Sequence, residues 1–142
     1  MFRVADLKTM TLHTELVPPR LTVLLIDDDP AVRSSLKFAL EVEGFAVRVY
    51  PTGSDLLNDE DMPESGCLVT DYYLPGMNGL DLLARLRERK VSLPAILITT
   101  DPSSAVRSRA ASAGVRLVEK PLLSDALFED IRAALGEAAQ PL

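Results

Sequence analysis

The chain of 142 residues is 47% hydrophobic and 25% charged and carries a net charge of −6, which predicts one globular domain and disfavours a surface for nucleic-acid phosphates. Its single cysteine excludes an internal disulfide, and one cysteine with one histidine provides no zinc site. We find no glycine-rich nucleotide loop, signal-peptide core or bilayer-spanning run, which argues against nucleotide enzymes, secretion and membrane insertion and favours the cytoplasm.

Five short apolar runs predict buried strands. The runs are continuous rather than alternating, which is typical of a parallel sheet covered on both faces. In chain order they are Leu21–Ile26, Phe45–Tyr50, Cys67–Thr70, Ala95–Thr99 and the weaker Val115–Val118.

The segments between these runs have helical spacing of apolar residues. Asp29 and Pro30 open the first segment as a cap and a first-turn proline, and Gly44 closes it. The predicted helices are Pro30–Glu43, Ser54–Asn58, Asn78–Lys90, Ser103–Ala113 and Ser124–Leu135.

The alternation of strands and helices predicts an α/β fold. Right-handed crossovers favour a five-stranded parallel sheet of order 2-1-3-4-5, doubly wound with five helices in a flavodoxin-like arrangement. We assign this domain to residues 21–142 and treat residues 1–20 as an N-terminal extension or arm. Ligands of such sheets bind at the carboxyl ends of the strands, near the point where the strand order reverses.

Polar residues with a shared chemistry stand at these strand ends. Asp27 and Asp28 follow the first strand, Asp71 follows the third, Thr99 ends the fourth, and Lys120 follows the fifth. A single acidic residue there is commonly only a helix cap, but three carboxylates brought together at one edge suit Mg²⁺. An aspartate can accept a phosphoryl group, and a lysine and a hydroxyl can bind its oxygens. The set predicts a phosphoryl-transfer site.

Four stretches, in this order and at these strand ends, carry a family resemblance: VLLIDDDPAVR (23–33), CLVTDYYLPGMNGLDLLARLR (67–87), PAILITT (94–100) and AGVRLVEKPL (113–122). With them the sequence resembles the receiver domain of two-component response regulators, the CheY-like family, over roughly residues 21–137. Each stretch alone is a weak signal, but their combination is specific.

The resemblance implies a role for each site residue. Asp71, ahead of the turn LPGMNG, matches the phosphoacceptor. Asp28 matches the residue that binds Mg²⁺ directly, and Asp27 matches one that acts through a metal-bound water. Tyr73 matches the position whose backbone carbonyl is a metal ligand, so its side chain is free to vary.

Two further residues match the family's response to phosphorylation. Thr99 matches the hydroxyl that turns toward the phosphoryl group, and Lys120 matches the lysine that pairs with it. Leu117 stands where receivers usually have Tyr or Phe, so we expect activation to move backbone and helices rather than an aromatic rotamer. Thr100 stands where Ala or Gly is common, and we expect it to slow water attack on the acyl phosphate.

The resemblance also implies a signalling protein rather than an enzyme. Its phosphoryl donor would be a sensor histidine kinase, and its output would pass to a downstream protein target or a phosphotransfer protein. Because the chain ends just after the last predicted helix, we expect a single-domain regulator without nucleic-acid or membrane partners. The apolar content of residues 1–20 leads us to expect that they support a homodimer.

Two other functions compete with this interpretation. A haloacid-dehalogenase-type phosphatase would use Asp27 as the nucleophile, but Ala31 replaces its usual Thr or Val and no acidic pair follows Lys120. That function would also leave Asp71 unexplained. The other alternative is a pseudo-receiver that is not phosphorylated and acts only as an interaction module.

Overall fold

A computed structural model describes residues 21–120 and 126–139. The predicted arm at residues 1–20 and the predicted helix start at Ser124 lie outside the described residues. None of the helices in these two ranges combines the length and apolarity that a bilayer crossing requires.

The five predicted strands form one parallel sheet. Their order is β2-β1-β3-β4-β5, which confirms the predicted order. β3 is one residue longer than predicted, so Asp71 ends the strand instead of following it. The strands are β1 (Thr22–Ile26), β2 (Ala46–Tyr50), β3 (Cys67–Asp71), β4 (Ala95–Thr99) and β5 (Arg116–Glu119).

Helices follow the strands as expected, with ends that differ by a few residues. The α1 cap is Asp29, whose side chain accepts hydrogen bonds from the Ala31 and Val32 amides. Asn78 caps α3 in the same way rather than being its first residue. The helices are α1 (Pro30–Val42), α2 (Gly53–Leu57), α3 (Gly79–Glu88), α4 (Ser104–Ser112) and α5 (Ala126–Ala139).

The sheet has an apolar core on each face, as the continuous runs predicted. Within β1, Leu24 and Ile26 point to the face covered by α2, α3 and α4. Val23 and Leu25 point to the opposite face, which is covered by α1 and α5. All four side chains are fully buried, because successive strand residues alternate between faces and helices cover both.

A short antiparallel hairpin after β3 is absent from the sequence-based prediction. Its strands are Tyr73–Leu74 and Met77–Asn78. Gly76 has φ +80° and follows a proline, which is the pattern of a type II turn. The hairpin joins the carboxyl end of β3 directly to the cap of α3.

Candidate functional site

The predicted site residues meet at the carboxyl edge of the sheet. β3 and β4 are paired so that Asp71 lies opposite Ile98, and Thr99 follows on β4. Asp27 continues β1, with its amide donating to the Tyr50 carbonyl at 3.2 Å. The parallel register therefore places three strand ends side by side.

Three carboxylates lie together at this edge. Oxygen atoms of Asp27, Asp28 and Asp71 fall within 4.8 Å of one another, which confirms the prediction that the strand order brings them together. Asp27 and Asp71 are buried, whereas Asp28 is exposed. Like charges at this separation disfavour one another unless a cation lies among them.

The two oxygens of Asp27 differ in their partners. Oδ1 accepts a hydrogen bond from the Asp29 amide at 2.9 Å. Oδ2 is buried without a hydrogen-bond partner in the described part of the chain, and Lys120 Nζ lies 3.9 Å away. Burial raises the pKa of Asp27 above its ordinary value, and the Asp29 amide and Lys120 partly offset that rise. The protein groups around Asp27 therefore do not fully compensate for the loss of hydration of an ionised carboxylate at this position.

Both oxygens of Asp71 have protein partners. Lys120 Nζ lies 3.0 Å from Oδ2, and the Tyr73 amide donates to Oδ1 at 3.3 Å. The backbone amide of Lys120 donates to the Thr99 carbonyl at 2.8 Å, which holds the lysine at the sheet edge. The ammonium is partly exposed, so it contacts Asp71 while remaining accessible to a group that arrives from solvent.

Thr99 carries a buried hydroxyl that has no partner in residues 21–120 and 126–139. Its side chain is 1% exposed, and Oγ1 makes no hydrogen bond within the described residues. Leaving such a group unpaired costs about 1–3 kcal/mol. The neighbouring buried Thr70 differs, because its hydroxyl donates to the Asp71 carbonyl at 3.0 Å. Within the described residues, Thr99 therefore keeps a hydroxyl donor without a partner at the same sheet edge as the carboxylates, as expected for a group that binds an added oxygen.

The Tyr73 side chain takes no part in the carboxylate cluster. It is 63% exposed and packs edge-to-face on Tyr72, with ring centroids 4.8 Å apart. Pairing with Asn78 in the hairpin holds its backbone beside Asp71. This placement agrees with a side chain that is free to vary, and the metal-ligand role of its carbonyl stays a prediction.

The structure adds two positioning residues that sequence analysis missed. A Cβ on Gly79 would lie 2.6 Å from the Asp71 carbonyl oxygen and 2.7 Å from Leu97 Cδ1, so α3 starts against the backbone of Asp71. The signal available in the sequence was the second glycine of LPGMNG. Arg33 Nη1 donates to the Asp27 carbonyl at 2.9 Å, a contact for which the sequence offered no signal.

The donor set fits a hard divalent cation. The cluster offers carboxylate oxygens alone, which Mg²⁺ prefers over nitrogen or sulfur. Within the described residues Asp27 Oδ2 has no hydrogen-bond partner and only a long ion pair of 3.9 Å with Lys120, and Asp28 is exposed, so both carboxylates keep oxygen atoms for a cation. These observations agree with the predicted magnesium site.

A family comparison identifies the fold. The model for the response regulator receiver domain matches residues 23–132. The chain belongs to this family. Because the chain matches the receiver-domain family, it does not belong to the haloacid-dehalogenase-type phosphatases. Receiver domains of response regulators are signalling domains.

Curated relatives support the assignment. The transcriptional regulatory protein FixJ of Azorhizobium caulinodans is 36% identical over 125 residues, which are 87% of this chain and 59% of that protein. The C4-dicarboxylate transport transcriptional regulatory protein DctD of Pseudomonas aeruginosa is 37% identical over 80% of this chain and 25% of its own length. The chain thus spans only part of these relatives, and the expectation of a stand-alone regulator stays a prediction. Because both are named as transcriptional regulators, they do not support the expectation that nucleic acid is no partner.

Solved structures show the same fold. The crystal structure of FixJ-N superimposes with a TM-score of 0.75 at 32% identity, covering 88% of this chain and all of that one. A CheY-like receiver domain from Methanospirillum hungatei superimposes with a TM-score of 0.75 at 27% identity, covering 84% and 96%.

Proposed function

We propose that Asp71 accepts a phosphoryl group from the phosphohistidine of a sensor histidine kinase. The observation that supports this best is the contact of 3.0 Å between Asp71 Oδ2 and Lys120 Nζ, with the oxygens of Asp27 and Asp28 within 4.8 Å. Family membership supports a phosphorylatable signalling domain, and this cluster supports Asp71 as its acceptor. We place the exchange in the cytoplasm.

In the proposed step, the bond between phosphorus and the imidazole nitrogen of the donor breaks as a bond to an Asp71 oxygen forms. Lys120 shifts from the carboxylate to a phosphoryl oxygen, where its charge offsets the charge of the transferring group. The Tyr73 amide holds the other Asp71 oxygen in place. Asp28, Asp71 and the Tyr73 carbonyl would hold Mg²⁺, with Asp27 acting through a water, and the ion would supply further charge neutralisation.

Output depends on the same edge of the sheet. Phosphorylation provides the Thr99 hydroxyl with an oxygen partner that it lacks among the described residues of the chain. The resulting shift of β4 and the following α4 biases a two-state equilibrium. Leu117 is half-buried and packs against the core on the same face as α4, so backbone and helix movement replaces an aromatic rotamer change. The signal passes to a downstream protein target or a phosphotransfer protein.

The experiment is intact-mass spectrometry after incubation with acetyl phosphate and Mg²⁺. We expect one phosphoryl adduct on the wild type and none on Asp71→Asn. Asp55→Asn is the matched control, because Asp55 is exposed on α2 and lies outside the carboxylate cluster. An adduct that survives Asp71→Asn would place the acceptor elsewhere. Absence of any adduct on the wild type, including with a phosphorylated kinase as donor, would favour the pseudo-receiver.

We further propose that residues 1–20 support a homodimer. These residues are rich in large apolar side chains, which a solvated tail disfavours. Light scattering should show a dimer for the full chain and a monomer after deletion of residues 1–18. A monomer in both cases would refute this proposal. The apolar residues are Phe2, Val4, Leu7, Met10, Leu12, Leu16 and Val17.

A further inference from the structure

A groove of about 460 Å³ lies between α3 and α4, away from the carboxylate cluster. Its floor is apolar and consists of Leu80, Leu83 and Val115, all nearly buried. Ala84 on α3 and Ser108 on α4 both line the groove, and these small side chains leave its space unfilled. Its volume lies within the range of about 300–1,000 Å³ that is typical of binding sites.

The chain segment that contains most of the groove's lining residues is rich in positive charge. Residues 85–116 contain seven lysines and arginines but only two acidic residues, in a chain whose net charge is −6. Arg87 and Arg109 belong to the lining itself. Arg87 donates to the Val91 carbonyl at 2.9 Å, and Arg109 lies 3.6 Å from Asp81 Oδ1. A guanidinium has five N–H donors, so both arginines retain donors for a second acceptor.

We propose that this groove binds an acidic amphipathic segment of a partner protein. Apolar side chains of that segment would cover Leu80, Leu83 and Val115, while its carboxylates would pair with Arg87 and Arg109. An apolar floor favours a peptide over a nucleic acid, because a phosphate backbone gains nothing from aliphatic side chains and no aromatic residue lines the groove for base stacking. The proposal does not require phosphorylation of Asp71, so it can fail or hold independently of the proposed function.

The test uses fluorescence anisotropy with a labelled synthetic helix of about 14 residues that carries leucines at i, i+3, i+4 and i+7 and glutamates beside them. We expect saturable binding to the unphosphorylated full chain. Arg87→Glu and Arg109→Glu should each weaken binding about fivefold, or ~1 kcal/mol. Arg85→Glu is the matched control, because this exposed arginine of α3 makes the same charge change outside the lining.

A second variant fills the space of the groove without changing charge. Ala84→Phe adds an aromatic ring at an exposed helix position on the groove, so it should leave the fold intact by circular dichroism and weaken peptide binding. If Arg85→Glu and Arg87→Glu lowered the peptide affinity equally, net charge would explain the effect, and the proposal would be overturned. The proposal would also be overturned if the peptide did not bind, or if a peptide with lysines in place of glutamates bound equally well. Tighter binding of a single-stranded oligonucleotide of the same length would overturn it too.

Discussion

Replacement of Gly79 by alanine tests whether α3 positions Asp71, the proposed phosphoacceptor. The added methyl would lie 2.6 Å from the Asp71 carbonyl oxygen and 2.7 Å from Leu97 Cδ1. The first of these atoms belongs to the backbone of a central strand, so it cannot rotate away as a side-chain end can. Overpacking of this kind costs about 1–3 kcal/mol, and the better helix propensity of alanine offsets about 0.5–1 kcal/mol of it.

We therefore expect Gly79→Ala to lower the free energy of unfolding by about 0.5–2 kcal/mol, which corresponds to ~2–7 °C in Tm for a domain of this size. The displaced backbone also carries the Asp71 carboxylate, so phosphorylation by acetyl phosphate should slow about threefold to tenfold. Urea denaturation with an unchanged slope, together with the rate of adduct formation, measures both effects.

Gly136→Ala is the matched control. Gly136 lies on the exposed face of α5, and a Cβ there would meet nothing within 4 Å. The same substitution should raise stability by about 0.5–1 kcal/mol and leave the phosphorylation rate unchanged. If Gly79→Ala proves as stable as the wild type and accepts the phosphoryl group at the same rate, the close approach of α3 does not position Asp71.

Three further predictions concern other parts of the molecule. The hydrogen bond from the Tyr50 hydroxyl lowers the pKa of Asp59, and a hydrogen bond from a backbone amide lowers it further. The ionised Asp59 carboxylate therefore stabilises the fold above about pH 4, and this contribution is lost as the pH falls through the lowered pKa. Tyr50→Phe should thus lower the free energy of unfolding by about 1 kcal/mol at pH 7, as measured by urea denaturation. A decrease of the same size in acid would contradict this explanation. Mg²⁺ should raise the Tm of the wild type in a saturable way and should raise the Tm of Asp28→Asn much less. Equal increases in Tm would show that Asp28 does not bind the metal. Thr100, exposed beside the site, should shield the acyl phosphate from water, so Thr100→Ala should shorten the lifetime of the phosphoryl group, and an equal or longer lifetime would contradict the shielding.

Much of the fold follows from local patterns along the chain. Continuous apolar runs predicted strands with two buried faces, because a residue on either side of a parallel sheet meets a helix. Topology then brought Asp27, Asp28 and Asp71 to one edge, since the carboxyl ends of adjacent parallel strands coincide. Helix caps such as Asp29 were also predictable, because capping depends on residues only two or three positions apart.

Other features depend on contacts between residues that are distant in the chain. The pairing of Lys120 with Asp71 joins residues 49 positions apart, and its distance follows from the packing of β3, β4 and β5. The Thr99 hydroxyl, which has no partner within the described residues, and the groove between α3 and α4 have no signal in local patterns. The close approach at Gly79 had one local signal, the second glycine of LPGMNG, but its distances follow from the packing of α3 on β3 and β4. Each of these features depends on which side chains lie next to one another in the folded chain. Periodicity and capping specify the elements and their faces, whereas the spaces between elements arise only when all the elements pack together.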